Sequence, residues 1–201
     1  MHITLHYSPG TRAIRPRWLL EELDISYDLK RMDLNGGACN KPEYKAIHPL
    51  GQVPALEING QIQLESGAML HWLADHYIAS ELAPTVGDPT RINYEQWMFF
   101  TPGTLEPPAF YVILHSKILP KAQRIEDFAP WAMQRYLQSV EVVDHALDGK
   151  TYLLGERFTA ADIMVGSTLM WLPDALLDFP CLQEYVNRLK ERKAFIRATK
   201  D

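Results

Sequence analysis

Polar and apolar residues follow a strand-like and then a helix-like pattern at the start of the chain. Apolar side chains alternate with polar ones over residues 2–7, which predicts a strand with one buried face. Residues 8–10 contain a proline and a glycine that break this pattern. Apolar residues at helical spacing then predict a helix over residues 12–23. We expect Pro16 in its first turn, because an interior proline breaks a helix, and Arg15 on its water-facing side.

The strongest local signal in the first half of the chain is a hairpin. Asn59-Gly60 separates strand-like runs at residues 53–58 and 61–64, and Asn-Gly favours the two-residue turn that joins antiparallel strands. The other elements predicted in this half are a strand at residues 25–32, a short helix at most at residues 42–47, and a helix at residues 66–77.

The order of these elements is β-α-β-α-β-β-α. Two parallel strands need a crossover helix, and the added hairpin and final helix complete a thioredoxin-like arrangement. We therefore predict an α/β thioredoxin-like N-terminal domain over residues 1–79. Residues 80–89 hold two prolines and a glycine and are predicted to be a linker.

Long helical patterns dominate the rest of the chain. We predict an all-α helical C-terminal domain over residues 90–201, in which Pro102, Pro107 and Pro108 interrupt the first long helix. Its helices are predicted at residues 90–100, 110–119, 125–147, 160–172 and 181–192.

Composition narrows the class of protein. Hydrophobic residues make up 47% of the 201 residues, which is typical of a globular chain and excludes wholesale disorder. The net charge of −5 argues against a nucleic-acid-binding surface. The two cysteines, Cys39 and Cys181, form no disulfide framework and favour a reducing cytoplasm. No apolar run is long enough for a membrane span, and no signal peptide follows Met1.

The segment that leads into the third strand could hold a peptide ligand. If the Val53–Pro54 bond is cis, the N–H and C=O of Val53 turn outward and could pair with an extended peptide, as in strand addition. The alternative is an ordinary proline at the first residue of a strand, since only about 5–6% of such bonds are cis.

Two further places combine a turn with the start of a helix. At Glu65-Ser66, the Ser66 hydroxyl and free N–H groups could hold a ligand carboxylate, with Glu65 facing an ammonium group; the alternative is a plain helix cap. After the first strand, Ser8 or Thr11 could donate a hydrogen bond to a thiolate, and Arg12 could add positive charge. The alternative there is a pair of turn and cap residues.

Two other patterns carry no chemistry in our interpretation. Thr159 followed by Asp162 predicts a capping box at a helix start. The seven histidines are scattered, and His71 and His76 are five residues apart, which does not bring them onto one helix face. We therefore predict no metal site.

Four fragments, in this order and at these separations, resemble the cytosolic glutathione transferase family over nearly the whole chain. The helix entry at Thr11-Arg12 and the Pro107-Pro108 interruption are most similar to a branch with bacterial and fungal members. The fragments are SPGTR at residues 8–12 leading into WLLEEL at residues 18–23, IHPLGQVPAL at residues 47–56, Glu65-Ser66, and YLLGERFTAAD at residues 152–162.

The resemblance implies how glutathione would bind. The Val53–Pro54 bond would be cis, and the Val53 main chain would pair with the cysteinyl part of glutathione. Glu65 and Ser66 match the residues that hold the γ-glutamyl end. Gln52 matches a position that reaches toward the rest of the tripeptide.

The chain departs from the cysteine-based branches of the family, because no cysteine precedes Cys39. It is therefore similar to the serine- or threonine-type members. Aligned on Arg12, Ser8 falls where serine-type members carry their hydroxyl, and Thr11 is the second choice. Tyr7 is expected to pack with the apolar face of the first strand rather than to act as a catalytic phenol.

The resemblance implies a glutathione S-transferase. Glutathione would be its co-substrate, with no other cofactor, and its thiolate would attack a small hydrophobic electrophile or reduce a peroxide. The alternatives are a non-enzymatic glutathione-binding or protein-interaction module on the same fold, and a glutathione-dependent isomerase. The helical domain would contribute the second-substrate pocket, with Phe110 and Trp171 as candidate residues. We expect no nucleic-acid or membrane partner.

The resemblance also implies a homodimer. Contiguous apolar surface usually marks an association site, and five aromatic residues are expected to contribute to one. They are Trp72, Tyr77, Trp97, Phe99 and Phe100.

Overall fold

The computed structural model describes residues 1–200 and places four strands of that part in one sheet. The strands are β1 (Ile3–Tyr7), β2 (Asp28–Arg31), β3 (Ala55–Ile58) and β4 (Gln61–Gln63). They lie in the order β2-β1-β3-β4, with β1 parallel to β2 and antiparallel to β3. Asn59 and Gly60 have positive φ values of 49° and 83°, which is the turn geometry that the sequence predicts for this hairpin.

The helices follow the predicted order, with one addition at the C-terminal end. They are α1 (Ile14–Glu22), α2 (Pro42–Lys45), α3 (Ser66–His76), α4 (Arg91–Phe100), α5 (Glu106–Ile113), α6 (Phe128–Leu147), α7 (Ala160–Leu169), α8 (Pro180–Lys190) and α9 (Lys193–Ala198). The sequence pattern did not predict α9 as a separate helix. Among residues 1–200, no helix has the length and apolar character needed to cross a membrane.

Met1–Thr85 and residues 190–200 form one compact unit around β1 and α1. Its core includes Ile3 and Leu5 of β1 and Trp18 and Leu19 of α1, all of which are almost completely buried. The sheet order, with a parallel pair and an added hairpin, confirms the predicted α/β thioredoxin-like fold of the N-terminal part.

The position of α9 differs from the prediction that residues 90–201 form a single domain. This helix contacts α1 in the first unit, where the Phe195 ring meets the Trp18 ring edge-on with centroids 4.7 Å apart. The helix has only six residues, too few for a periodic pattern to reveal which surface it covers.

Two ion pairs join the last segment to α1. A nitrogen of Arg192 lies 2.6 Å from the Glu22 carboxylate, and a nitrogen of Arg197 lies 2.6 Å from that of Glu21. Burial by itself raises the pKa of Glu21. Hydrogen bonds from Arg197 and Tyr27, with the charge of Arg197, outweigh burial and hold the pKa of Glu21 below its ordinary value.

Val86–Leu189 forms the second unit, which contains α4–α8 and confirms the predicted all-α domain. As predicted, the three prolines lie where the first long α-helix is interrupted, since α4 ends at Phe100 and α5 begins at Glu106. Pro102 lies in a π-helical stretch, Thr101–Leu105, and Pro107 and Pro108 occupy the first turn of α5. A proline lacks the N–H that an uninterrupted α-helix uses, and the α-helical hydrogen-bond pattern changes at this point.

The Asp162 carboxylate connects the start of α7 to neighbouring segments of the second unit through hydrogen bonds. It accepts hydrogen bonds from the N–H of Thr159 at 2.8 Å and the N–H of Leu153 at 3.0 Å, and from the Tyr185 hydroxyl at 2.9 Å. The predicted capping box is confirmed. Burial raises the pKa of Asp162 to about 6, although the hydrogen bonds from Leu153 and Thr159 oppose that rise.

Candidate active site

Ser8 lies directly after β1, at the turn that leads into α1. It is 7% exposed, and no group within residues 1–200 hydrogen-bonds with its hydroxyl. A serine hydroxyl can donate one hydrogen bond and accept two. The donor is therefore available to a ligand that reaches this turn.

Thr11 and Arg12 lie in the turn between Ser8 and α1. The Thr11 hydroxyl donates a 2.6 Å hydrogen bond to the carbonyl of Ser8 and accepts one of 3.2 Å from the N–H of Ala13. The carbonyl of Arg12 accepts a hydrogen bond from the N–H of Arg15. The helix α1 begins at Ile14, later than the predicted start at residue 12. The Thr11 hydroxyl therefore serves the turn, which is the alternative that the sequence left open for it.

The Val53–Pro54 bond is cis, as the resemblance implies. Within the described part of the chain, neither the N–H nor the C=O of Val53 has a hydrogen-bond partner, although β3 begins two residues later. Main-chain groups are obligatory hydrogen-bonding groups, so an extended ligand with free N–H and C=O groups fits here.

The antiparallel pairing of β1 with β3 brings Ser8 and Val53 to the same end of the sheet. His6 faces Ala55 as the last pair of this ladder. Ser8 and Val53 each lie two positions beyond this last pair, at the same end of the ladder. The available hydroxyl and the unpaired main chain therefore belong to one site.

Two contacts hold the loop that precedes Val53. The Tyr44 hydroxyl donates a 2.7 Å hydrogen bond to the carbonyl of Gln52, whose side chain is exposed. Gly51 has a φ of +62°, and a Cβ there would lie 2.5 Å from the carbonyl oxygen of Cys39, so both conformation and space require glycine. Burial and the neighbouring Cys39 raise the pKa of Tyr44, which keeps its hydroxyl a donor.

Glu65 and Ser66 form the start of α3. Glu65 is exposed and has a φ of +68°, in a region that residues other than glycine seldom adopt. Ser66 is 7% exposed, and the start of α3 has no side-chain cap hydrogen bond, so the plain-cap alternative does not describe this serine. Instead its hydroxyl oxygen accepts a 3.2 Å hydrogen bond from the guanidinium of Arg15.

Arg15 and Tyr44 are the two residues of this site that the sequence analysis missed. Arg15 was expected on the water-facing side of α1, and this is wrong because the residue is 1% exposed. Helix α1 contacts both α3 and α9, so a single buried face does not describe it. Tyr44 lies in the four-residue α2, which is too short to show a pattern.

The titratable groups near the site show no sign of a metal centre. Within residues 1–200, no group of three His, Cys, Asp or Glu side chains is placed to hold a metal ion. Cys39 is buried and Cys181 is exposed, and both are free thiols. Burial raises the pKa of the Cys39 thiol, which disfavours its thiolate.

Comparisons with known proteins agree with this architecture. Residues 1–75 match the family model "Glutathione S-transferase, N-terminal domain", and residues 71–188 match "Glutathione S-transferase, C-terminal domain". Glutathione S-transferase 3 of Schizosaccharomyces pombe is 31% identical over 171 residues, which cover 80% of this chain and 70% of that protein. Elongation factor 1-gamma-B of Xenopus laevis is 32% identical over 153 residues, which cover 75% of this chain and 34% of that protein.

A solved structure extends the match to three dimensions. A glutathione transferase homologue from Sulfitobacter, crystallised with bound glutathione, is 25% identical and has a TM-score of 0.85. The match covers 98% of this chain and 96% of that one. The chain therefore belongs to the glutathione S-transferase family.

Proposed function

We propose that this glutathione transferase uses the Ser8 hydroxyl to stabilise the thiolate of glutathione bound along Val53. The position of Ser8 carries the proposal. Its hydroxyl has no partner within residues 1–200, and Ser8 and Val53 follow the same end of the β1–β3 ladder, which supports a common site. A cysteinyl residue whose main chain pairs with Val53 would present its sulfur at this point.

Each part of the tripeptide has a matching group in the site. The N–H and C=O of Val53, beside cis Pro54, pair with the cysteinyl main chain. Ser66 and the first-turn N–H groups of α3 take the γ-glutamyl carboxylate, and the helix dipole favours that negative charge. The exposed Glu65 faces the ammonium group, and Gln52 reaches toward the remaining part. The similar Sulfitobacter protein was crystallised with bound glutathione, which supports glutathione as the ligand.

The hydrogen bond from Ser8 acts on the charge of the sulfur. It favours the thiolate and lowers the thiol pKa from about 8.5. The positive charge of Arg12, in the same turn, acts in the same direction. The thiolate then attacks an electrophilic carbon of a small hydrophobic compound, so that a C–S bond forms while the leaving group departs with its electron pair.

Two measurements test binding and activation separately. Glutathione should raise the thermal unfolding temperature, and the absorbance of bound thiolate should titrate below the pKa of the free thiol. Ser66→Ala should weaken binding by about 1.5–3 kcal/mol, because the carboxylate loses a charge-assisted hydrogen bond. Binding by Ser66→Ala equal to that of the wild type would show that the γ-glutamyl site is misassigned.

A non-enzymatic binding module is the second candidate, and the similarity to elongation factor 1-gamma-B is the observation that favours it. This candidate predicts that glutathione binds without thiolate formation, or does not bind. The thiolate titration therefore separates the two candidates. A panel of aryl halides and hydroperoxides then distinguishes conjugation from peroxide reduction.

We also propose a homodimer. Trp72 and Phe99 are 36% and 70% exposed, which leaves apolar surface for a partner. The expectation that Trp97 adds to this surface is wrong, since it is 5% exposed. Sedimentation at micromolar protein should show a species of twice the 23.0 kDa chain mass, and a monomer would contradict the proposal. The two free thiols fit a reducing compartment, and we propose the cytoplasm.

A further inference from the structure

A buried guanidinium lies directly behind the hydroxyl that starts α3. Arg15 belongs to α1, is 1% exposed, and donates a 3.2 Å hydrogen bond to the Ser66 hydroxyl oxygen. Ser66 lies 51 positions later in the chain, so the folded sheet and helices bring the two together. Charged residues are seldom buried this completely unless a partner or a ligand offsets their charge.

The hydrogen bond sets the direction of the Ser66 hydroxyl. A hydroxyl has one donor hydrogen and two acceptor lone pairs. The Arg15 guanidinium takes one lone pair, which leaves the hydrogen of Ser66 to point away from Arg15. Because a cation donates to the oxygen, the hydroxyl is polarised and becomes a stronger donor.

We propose that Arg15 is a positioning residue that makes the Ser66 site selective for the carboxylate of the γ-glutamyl group. It acts through Ser66 and does not itself touch the ligand. Its charge adds to the positive end of the α3 dipole, and both favour an anion at this point. The inference rests on the proposed function, because it requires that glutathione binds at the start of α3.

The purely structural alternative is that Arg15 joins α1 to α3. Loss of Arg15 would then reduce stability and would weaken every ligand of the site by the same factor. A role in carboxylate selection has a different signature, because it changes the ratio of affinities for two ligands that differ by one carboxylate. That ratio is independent of a general loss of folded protein.

The test compares glutathione with 4-aminobutyryl-cysteinylglycine, which is glutathione without the γ-glutamyl α-carboxylate. Calorimetry gives both dissociation constants for the wild type, Arg15→Lys, Arg15→Gln and Arg17→Gln. Arg17 is the matched control, since it is a buried arginine of the same helix whose guanidinium lies 4.6 Å from the Tyr7 ring centroid. The wild type should prefer glutathione by at least about tenfold.

Arg15→Gln should lose about tenfold of this preference, whereas Arg15→Lys should keep most of it and Arg17→Gln all of it. A full wild-type preference in Arg15→Gln would overturn the role of Arg15 and leave the proposed site intact. No glutathione binding, or no preference in the wild type, would instead overturn the proposed site itself and the inference with it.

Arg15→Gln places a neutral amide in a buried position and can fail to fold. In that event the guanidinium NMR signal of Arg15 in the wild type, assigned with Arg15→Lys, decides the question. The signal should shift when glutathione is added and shift much less with the analogue. Equal shifts for the two ligands would overturn the role of Arg15.

Discussion

The Thr11 hydroxyl donates a 2.6 Å hydrogen bond to the main-chain carbonyl of Ser8. The same oxygen accepts the N–H of Ala13 at 3.2 Å, so the threonine is engaged on both sides by the turn. The serine hydroxyl has no partner within residues 1–200. Of the two candidate hydroxyls, Ser8 is therefore the one that a ligand can use without breaking the helix entry.

We predict that Ser8→Ala raises the thiol pKa of bound glutathione by about one unit, because a hydrogen bond to the thiolate is lost. Conjugation at neutral pH should slow about tenfold, while the dissociation constant of glutathione changes much less. Thiolate absorbance against pH and steady-state kinetics measure these effects.

Thr11→Ala is the control for this prediction. It removes the turn hydrogen bonds and should reduce the free energy of unfolding by roughly 1 kcal/mol with little change in thiol pKa. If the thiol pKa shifts in Thr11→Ala and not in Ser8→Ala, Thr11 rather than Ser8 stabilises the thiolate. If the thiol pKa is unchanged in both variants, Arg12 or main-chain N–H groups stabilise the thiolate instead.

Local sequence signals predicted much of the fold because each has a local physical cause. Asn59-Gly60 adopts the predicted hairpin turn, since both residues tolerate positive φ. The capping box at Thr159 and Asp162 also forms as predicted. Arg15 could not be placed this way, because its hydrogen-bond partner, Ser66 of α3, lies 51 positions later in the chain.

The candidate site shows the same division between local and long-range causes. The positions of Ser8 after the first strand and of Glu65 and Ser66 at the start of α3 follow from local patterns. The cis bond at Val53 came from the family resemblance, because local sequence alone favours trans. The family resemblance ranked Ser8 before Thr11, and the structure adds that the Thr11 hydroxyl is engaged by the turn.

Glu65→Gly should weaken glutathione binding without destabilising the fold. Glu65 has a φ of +68°, which is costly for a residue with a Cβ and free of that cost for glycine. We expect the free energy of unfolding to stay within about 1 kcal/mol of the wild type. The glutathione dissociation constant should rise about tenfold, because the ammonium group loses its partner.

Glu81→Gly is the matched control for the Glu65 variant. Glu81 also has positive φ, 59°, and lies outside the proposed site. It should show the same small effect on urea unfolding and an unchanged dissociation constant. Equal affinities for glutathione in Glu65→Gly and Glu81→Gly would remove Glu65 from the binding site.

Tyr44→Phe should weaken glutathione binding through the main chain. It removes the 2.7 Å hydrogen bond that holds the Gln52 carbonyl and leaves that carbonyl without its donor. We expect a loss of about 1 kcal/mol in the free energy of unfolding and a several-fold higher dissociation constant. The thiol pKa of bound glutathione should not change, because Ser8 is untouched.

Tyr136→Phe shows what removal of a buried hydroxyl does elsewhere. The Tyr136 hydroxyl is buried and has no hydrogen-bond partner within residues 1–200. Its removal should leave stability equal or slightly higher, and glutathione affinity unchanged. If Tyr44→Phe behaves like Tyr136→Phe in both measurements, Tyr44 does not support the loop at Val53.

Asp162 should make the helical unit less stable as the pH rises from 4 to 6. Burial raises its pKa to about 6 in the folded chain, whereas the ordinary value is 3.8. Between these values the folded state holds the proton and the unfolded state has released it. The free energy of unfolding therefore falls with rising pH, by about 3 kcal/mol in total, and this contribution is constant above pH 6.

Urea unfolding of the wild type and Asp162→Asn between pH 4.5 and 7.5 isolates this contribution. The asparagine does not titrate, so the stability advantage of the wild type should shrink as the pH rises and then level off. Glu21, whose lowered pKa produces the opposite trend, is present in both proteins and cancels in the difference. An advantage that grows with pH would mean that the hydrogen bonds from Thr159 and Leu153 outweigh burial and keep Asp162 ionised in the folded chain.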